Sequence, residues 1–247
     1  MKKVILALLL VPALLAATPR ALWASEAGYR LDHAPIDPKD LLSLQAGART
    51  FVNYCLNCHG AQYMRYNRLT DLGLTESQIR DNLIFTGAKV GETMRVAFTA
   101  GDGKAMFGVA PPDLTVIGRS RSADWLYTYL RTFYRDADSP TGWNNAVFPQ
   151  VAMPHALWSL QGTRALEVVS HAEHHAAPEY KWSQISPGSM NAVEYDTTVR
   201  DLVNYLVYMG EPAATSRRQV GIVVLFFLGI LFILAYALKK EFWKDVH

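Results

Sequence analysis

The sequence predicts a mostly α-helical domain, enlarged by long loops and tied to a membrane by one C-terminal transmembrane helix. Three observations lead there. Apolar residues recur at helical spacing in four separate stretches of the 247-residue chain. Between them, residues 87–118 and 136–188 are rich in Gly, Pro and Asn and show little periodicity, and neither an internal repeat nor a convincing alternating strand set stands out. Residues 220–238 form an uncharged run of 19, ~28 Å long as a helix and close to the ~30 Å hydrocarbon core of a bilayer.

Each element has its own signature. Residues 1–24 read as a secretory leader: Lys2 and Lys3 start it, residues 4–17 are apolar apart from Pro12, and the cut falls after Ala24. Asp37 is the expected cap of the first helix, with Pro38 at its first position, and Leu41, Leu44, Ala48, Phe51 and Cys55 form its apolar stripe. Thr75 and Gln78 open a second helix as a capping box, closed by Gly87. A third follows Ser122 and carries Trp125, Tyr129, Leu130 and Phe133. The fourth covers residues 191–209, with a stripe of Tyr195, Val199, Leu202, Leu206 and Met209, and stops at Gly210 and Pro212.

The uncharged run is apolar on every face, which argues against a buried core helix. Arg217 and Arg218 flank it on one side, and Lys239, Lys240, Lys244 and the interfacial Trp243 on the other. The expected organisation is therefore a leader at 1–24, an exported domain at 25–216, an anchor with its flanks at 217–240 and a short tail at 241–247. An exported domain followed by a stop-transfer helix leaves that tail in the cytoplasm. Charge divides along the same lines. Leader and anchor flanks hold eight of the 24 Lys/Arg and two of the 22 Asp/Glu, so the soluble part is net −4 (16 against 20) although the chain is +2. A mildly acidic face suits a basic partner protein and argues against nucleic acid.

The only two cysteines stand in Cys55-Leu56-Asn57-Cys58-His59. Cys-x-x-Cys-His is the c-type haem attachment pattern. Thiols at i and i+3 of a helical turn point the same way, so each adds across one vinyl group of a porphyrin, and His59 reaches the iron as proximal ligand. Export fits, since attachment in bacteria happens outside the cytoplasm. Three other readings compete. A structural zinc site needs four ligands, for which His171, His174 and His175 are the only complement. A thiol–disulfide exchanger usually sits beside a βαβ pattern, absent here. A small structural disulfide is the simplest. The exported location and the full pentad favour haem.

The sixth iron ligand separates electron transfer from open-site chemistry. The methionine candidates are Met64, Met94, Met106, Met153, Met190 and Met209; Met64 lies too near His59 in sequence to cross easily to the opposite face, and Met209 belongs to a helical stripe. Met153 stands on a loop stiffened by Pro149 and Pro154 and is the best candidate, with His155, two residues on, and the clustered His171, His174 and His175 competing.

Further motifs accompany the pentad: Met-Arg-Tyr-Asn-Arg at 64–68, Ala-Pro-Pro-Asp-Leu at 110–114 with Arg119 and Arg121, Gly-Trp-Asn-Asn at 142–145, Val-Ala-Met-Pro at 151–154, and Leu-Val-Asn-Tyr-Leu-Val-Tyr-Met-Gly-Glu-Pro at 202–212 before the anchor. In this order, over essentially the whole mature chain, they resemble the cytochrome c1 family, the haem c subunits of the cytochrome bc1 complex. The resemblance implies a class I cytochrome c-like haem domain with long loop insertions, its first and last soluble helices crossing. It implies one covalent haem c on Cys55, Cys58 and His59, and Met153 as sixth ligand. It also implies that Arg121 pairs with a haem propionate, that Trp125 lines the same edge, and that Pro111 and Pro112 shape the haem wall. The implied partners are cytochrome b, the Rieske iron–sulfur protein, which gives the electron, and a soluble cytochrome c, which takes it. The implied location is the bacterial inner membrane, with the haem domain in the periplasm. No strongly acidic run marks a docking site for the soluble carrier. The alternatives are a membrane-anchored haem c carrier of another respiratory complex, a five-coordinate haem peroxidase or sensor, and a haem-free thiol oxidoreductase.

Overall fold

Helix α1 (Leu41–Thr50) is capped by Asp40, whose carboxylate accepts from the Ser43 amide at 3.1 Å. The expected cap, Asp37, stands one turn earlier. Its side chain accepts from Lys39 N at 2.9 Å and its carbonyl from Asp40 N at 3.1 Å. Of two aspartates three residues apart, the second lies beside the free helical N–H groups and takes the cap; Pro38 shapes the turn before it. The computed structural model of the chain describes residues 28–169 and 179–245; the expected leader and His171, His174 and His175 lie outside the described residues.

Beyond Thr50 the helix widens into a π turn, Phe51–Cys55, closed by Leu56 N to Phe51 O at 3.0 Å. The chain then runs through β1 (Ala61–Arg65), a 3₁₀ turn (Tyr66–Leu72), α2 (Glu76–Leu83), β2 (Thr93–Met94), α3 (Ala100–Phe107), α4 (Ile117–Ser120) and α5 (Ala123–Arg131). Next come β3 (Phe133–Arg135), β4 (Trp143–Asn145), α6 (Trp158–Gln161), β5 (Gly162–Val169), β6 (Glu179–Pro187), α7 (Ala192–Gly210) and α8 (Ala214–Phe242). The Thr75–Gln78 capping box opens α2 as expected, but the helix ends at Ile84 in extended backbone, and Gly87 turns the chain only afterwards. Ser122 caps α5, and Asn191, in a capping box with Glu194, caps α7.

Helix α7 is the spine of the domain. It packs against α1, α4 and α5, and ten of its residues are buried. The closest approach to α1 is at Gly47, where an added Cβ would lie 2.0 Å from the Asp201 carbonyl oxygen and 2.7 Å from Tyr205 Cβ. Only glycine lets the two backbones meet this closely. A polar clasp crosses the same contact: Ser43 Oγ donates to Asp201 at 2.7 Å, and Asn204 Nδ2 donates to the Asp37 carbonyl at 2.7 Å and to Ser43 Oγ at 3.0 Å. Around it lie Leu44, Ala48, Phe51, Val199, Leu202 and Tyr205, all buried.

The two long stretches that read as aperiodic contain order. The first holds α3, opened by a capping box between Thr99 and Asp102. The second holds an antiparallel hairpin of β5 and β6, which pairs Leu166 with Trp182, Glu167 with Lys181 and Val168 with Tyr180. Leu166, Val168, Tyr180 and Trp182 share one face and Glu167 and Lys181 the other, but this alternation covers only a few residues of each strand before the register shifts between Thr163 and Arg164, so the period-two signal is short. Tyr134 of β3 meets Trp182 edge-on at 6.3 Å and holds it to the domain. The remaining pairs, β1 with β2 and β3 with β4, are short and antiparallel. The domain is mostly helical all the same. Helix α8 contains a 27-residue span, Ser216–Phe242, long and apolar enough to cross a membrane.

Gly47→Ala should force α1 and α7 apart. Overpacking of this kind costs ~3 kcal/mol, a fall of roughly 10 °C in the melting midpoint for a domain of this size. Circular dichroism melts of the detergent-solubilised chain measure it; an unchanged midpoint would contradict the packing described.

Candidate functional site

The π turn ends on Cys55, and the chain coils back on it. The amides of Cys58 and His59 both donate to the Cys55 carbonyl, at 3.1 and 2.9 Å. One backbone oxygen therefore gathers both thiols and the imidazole of the pentad into a single turn. Both cysteines are free and partly exposed. Burial of the sulfur, with Cys58 beside it, pushes the Cys55 thiol up to about 12. A thiol–disulfide exchanger needs its attacking thiol shifted the other way.

His59 is buried, and its Nδ1 lies 2.8 Å from the Pro112 carbonyl oxygen. A carbonyl only accepts, so Nδ1 carries the proton and the ring's lone pair is on Nε2. Burial holds the imidazole below its ordinary pKa, against the opposing pull of that hydrogen bond. The loop that presents Pro112 is itself pinned. Leu114 N donates to Gly60 O at 2.8 Å, and the Asp113 carboxylate accepts from Gln62 N and Thr115 N, each at 2.9 Å. From the sequence Pro112 reads only as a wall residue. Its role as acceptor for His59 was not legible, because a backbone carbonyl has no signature in a side-chain pattern.

Met153 sits on a loop built by the adjacent asparagines. Asn145 Oδ1 accepts from the Val147 and Phe148 amides at 2.9 and 3.1 Å, its Nδ2 donates to the Tyr129 carbonyl at 2.8 Å, and Asn144 Oδ1 accepts from Gln150 N at 2.9 Å. The sulfur of Met153 receives a hydrogen bond from Tyr129 Oη at 3.3 Å. Tyr129 stacks on Trp125 with centroids 4.7 Å apart, and the Arg121 guanidinium lies 4.9 Å above Trp125 and 5.7 Å from Phe148. Residues 121, 125 and 129 are spaced one helical turn apart, so a single row leading into and along α5 carries all three. Burial raises the Tyr129 phenol above its ordinary pKa, which keeps it a proton donor.

The competitor His155 is committed elsewhere. It is 2% exposed, stacks on Phe133 at 4.8 Å, and its Nε2 lies 2.8 Å from Gln161 Oε1. Met64, Met94 and Met209 are buried in the core. Two groups result. Cys55, Cys58, His59 and Pro112 form one; Met153, Tyr129, Trp125 and Arg121 form the other. The elements that lead into them, α1 and α5, both pack on α7. The donor set fits a c-type haem: two thiols three residues apart, an imidazole with Nε2 available, and a thioether on a stiff loop. Among the described residues, no group of three or more His, Cys, Asp or Glu stands ready for a separate metal ion.

A family model described as "Cytochrome C1 family" matches residues 88–246, more than half of the chain. The chain belongs to the cytochrome c1 family. The matched segment contains the Pro112 loop, the Met153 loop and the anchor; the cysteine pentad precedes it. The cytochrome c1 of Allochromatium vinosum is 50% identical over 249 residues, covering all of both chains. That of Rhodospirillum rubrum is 27% identical over 84% of this chain and 83% of its own. A protein of Nitrosomonas europaea named "Ammonia monooxygenase gamma subunit" is 52% identical over 88% of this chain and 89% of its own. A solved chain of "Hyperthermophilic respiratory Complex III" gives a TM-score of 0.41 at 14% identity over the full length of both, too distant to bear on the fold.

Membership bears out the resemblance read from the motifs. The family is one of membrane-anchored electron-transfer subunits with covalently bound haem c, and its context is the cytochrome bc1 complex, with cytochrome b and the Rieske protein.

The buried His155 gives the domain an acid sensitivity. Burial lowers its folded pKa to about 4 from the ordinary 6.5. The unfolded chain therefore binds the extra proton first, and stability present above pH ~6.5 is lost as the pH falls toward ~4, by up to ~3 kcal/mol. His155→Gln should flatten the acid limb of melting midpoint against pH relative to the parent chain. An equally steep limb would show that His155 does not set it.

Proposed function

We propose that the chain would hold one haem c through thioethers from Cys55 and Cys58, with His59 Nε2 and Met153 Sδ as the protein donors to its iron. In this reading it relays single electrons from the Rieske protein to a soluble cytochrome c. The observation that carries the proposal is the 2.8 Å contact from His59 Nδ1 to the Pro112 carbonyl inside the attachment turn. It fixes the tautomer and the ring, as second-shell partners of metal-bound histidines do. Haem c bound there supplies reversible one-electron chemistry at iron, and a methionine donor in a buried setting raises its potential.

The chain's own residues do the rest. The Cys55 carbonyl holds the turn that presents both thiols. Asn144 and Asn145 hold the loop that presents Met153. Arg121, braced on Trp125, supplies a cation for a haem propionate, with Trp125 along the same edge. The net −4 of the soluble part favours a basic carrier, and rim charges of that kind speed encounter more than they lengthen residence. In the proposed arrangement the leader at 1–24 is removed, residues 25–216 lie in the bacterial periplasm, 217–240 anchor them in the inner membrane and 241–247 reach the cytoplasm. The name of the Nitrosomonas relative attaches a similar chain to an oxygenase; a Met153 sulfur on iron leaves no open position for such chemistry.

Gentle detergent purification from the native membrane tests the assembly: one haem c on this chain should accompany two haems b. Haem c without cytochrome b would point to another complex. Met153→Leu tests the axial donor. It should open the iron, giving high-spin absorption, rapid carbon monoxide binding and a lowered midpoint potential, whereas unchanged spectra would remove Met153 from the iron.

A further inference from the structure

The phenol of Tyr129 has a more specific task than packing. Its hydroxyl donates to Met153 Sδ at 3.3 Å, and the ring is held in place for that purpose. One face stacks on Trp125, with planes within 13°. Phe133 meets the ring edge-on at 5.0 Å. The Tyr129 carbonyl accepts from Asn145 Nδ2, and Asn145 Oδ1 in turn accepts from the Val147 and Phe148 amides at the start of the methionine loop. Donor and acceptor are thus fixed through the same asparagine, so the contact does not depend on a freely rotating side chain.

Resting on the assignment of Met153 as axial donor, we infer that Tyr129 is a positioning residue that sets the reduction potential of the iron by hydrogen-bonding the Met153 thioether. A thioether sulfur has two lone pairs and is a weak hydrogen-bond acceptor. When a phenol proton shares its electron density, the sulfur donates less to the iron. The oxidised iron needs that donation more than the reduced iron does. The hydrogen bond therefore favours the reduced form and raises the potential, an outer-shell adjustment of a metal ligand. Thermodynamically this makes the site a better acceptor from its electron donor.

Tyr129→Phe isolates the effect, because it keeps the ring and its stack and deletes only the hydroxyl. The control is Tyr205→Phe, which removes the comparable phenol contact to Met94 Sδ, 3.6 Å in length and buried in the core. Both variants and the parent chain are purified with haem attached. Equilibrium redox titration gives the midpoint potential, and the methionine–iron charge-transfer band of the oxidised form reports ligation. Tyr129→Phe should keep the band and lower the equilibrium constant for electron uptake roughly fivefold, the scale of one hydrogen bond, or about 40 mV at ~59 mV per decade. Tyr205→Phe should leave the potential in place. An unchanged potential with the band intact, loss of the band in Tyr129→Phe, or equal shifts in both variants would each overturn the inference. Absence of the band from the parent chain itself would instead sink the Met153 assignment and take the inference with it.

Discussion

The hydrogen bond from His59 Nδ1 to the Pro112 carbonyl is the constraint on which the site depends. Its two partners lie 53 positions apart in the chain. It turns a local pattern, two thiols and a histidine on one turn, into a tertiary arrangement with a defined tautomer. Without it the imidazole has two equivalent ways to present a lone pair. With it, only Nε2 remains. The same loop is tied back to the pentad by Leu114 N on Gly60 O and by Asp113 on the Gln62 amide, so the acceptor cannot drift from its donor. Proline suits the place. It lacks an N–H and has a fixed φ, which makes it a stiff presenter of a carbonyl.

Helix α7 lets this turn and the methionine loop belong to one body. It meets α1 at Gly47 and α4 at Gly118, where an added Cβ would come within 2.9 Å of the Val207 Cα. The phenol of Tyr195 donates to the Leu130 carbonyl at 2.8 Å and joins α7 to the end of α5. Helix α7 also leads almost directly into α8, and Glu211 and Arg217 pair at 2.6 Å across the junction. The element that organises the redox domain is therefore continuous with the element that anchors it. A large prosthetic group and long loops place heavy demands on a domain of this size; two glycine-mediated helix contacts and a buried polar clasp answer them.

Helices were legible in the sequence where capping chemistry and apolar period agreed. Thr75 with Gln78, Ser122 and the expected start at Asn191 all mark true starts. Asp37 misled because a second aspartate three residues later stood closer to the free amides. The β5–β6 hairpin escaped notice because its apolar face, Leu166 and Val168 opposite Trp182 and Tyr180, takes only two alternating positions from each strand. At the site, the sequence displays every side chain of the proposed donor set: Cys55, Cys58, His59 and Met153. It does not display the groups that aim them. The Pro112 carbonyl is backbone, the Asn145 amide acts through four separate hydrogen bonds, and Tyr129 reads as one more aromatic in a helical stripe. Pairing across 24 residues, as between Tyr129 and Met153, is a property of the fold rather than of any local pattern.

The central claim is that Cys55, Cys58 and His59 form one attachment unit for a covalently held porphyrin. Mass spectrometry of the denatured chain, isolated from its native membrane and treated with a thiol alkylating reagent, tests it most directly. The account predicts that the peptide containing residues 55–59 carries the mass of haem and no alkyl group. A haem-free peptide with both sulfurs alkylated would contradict it.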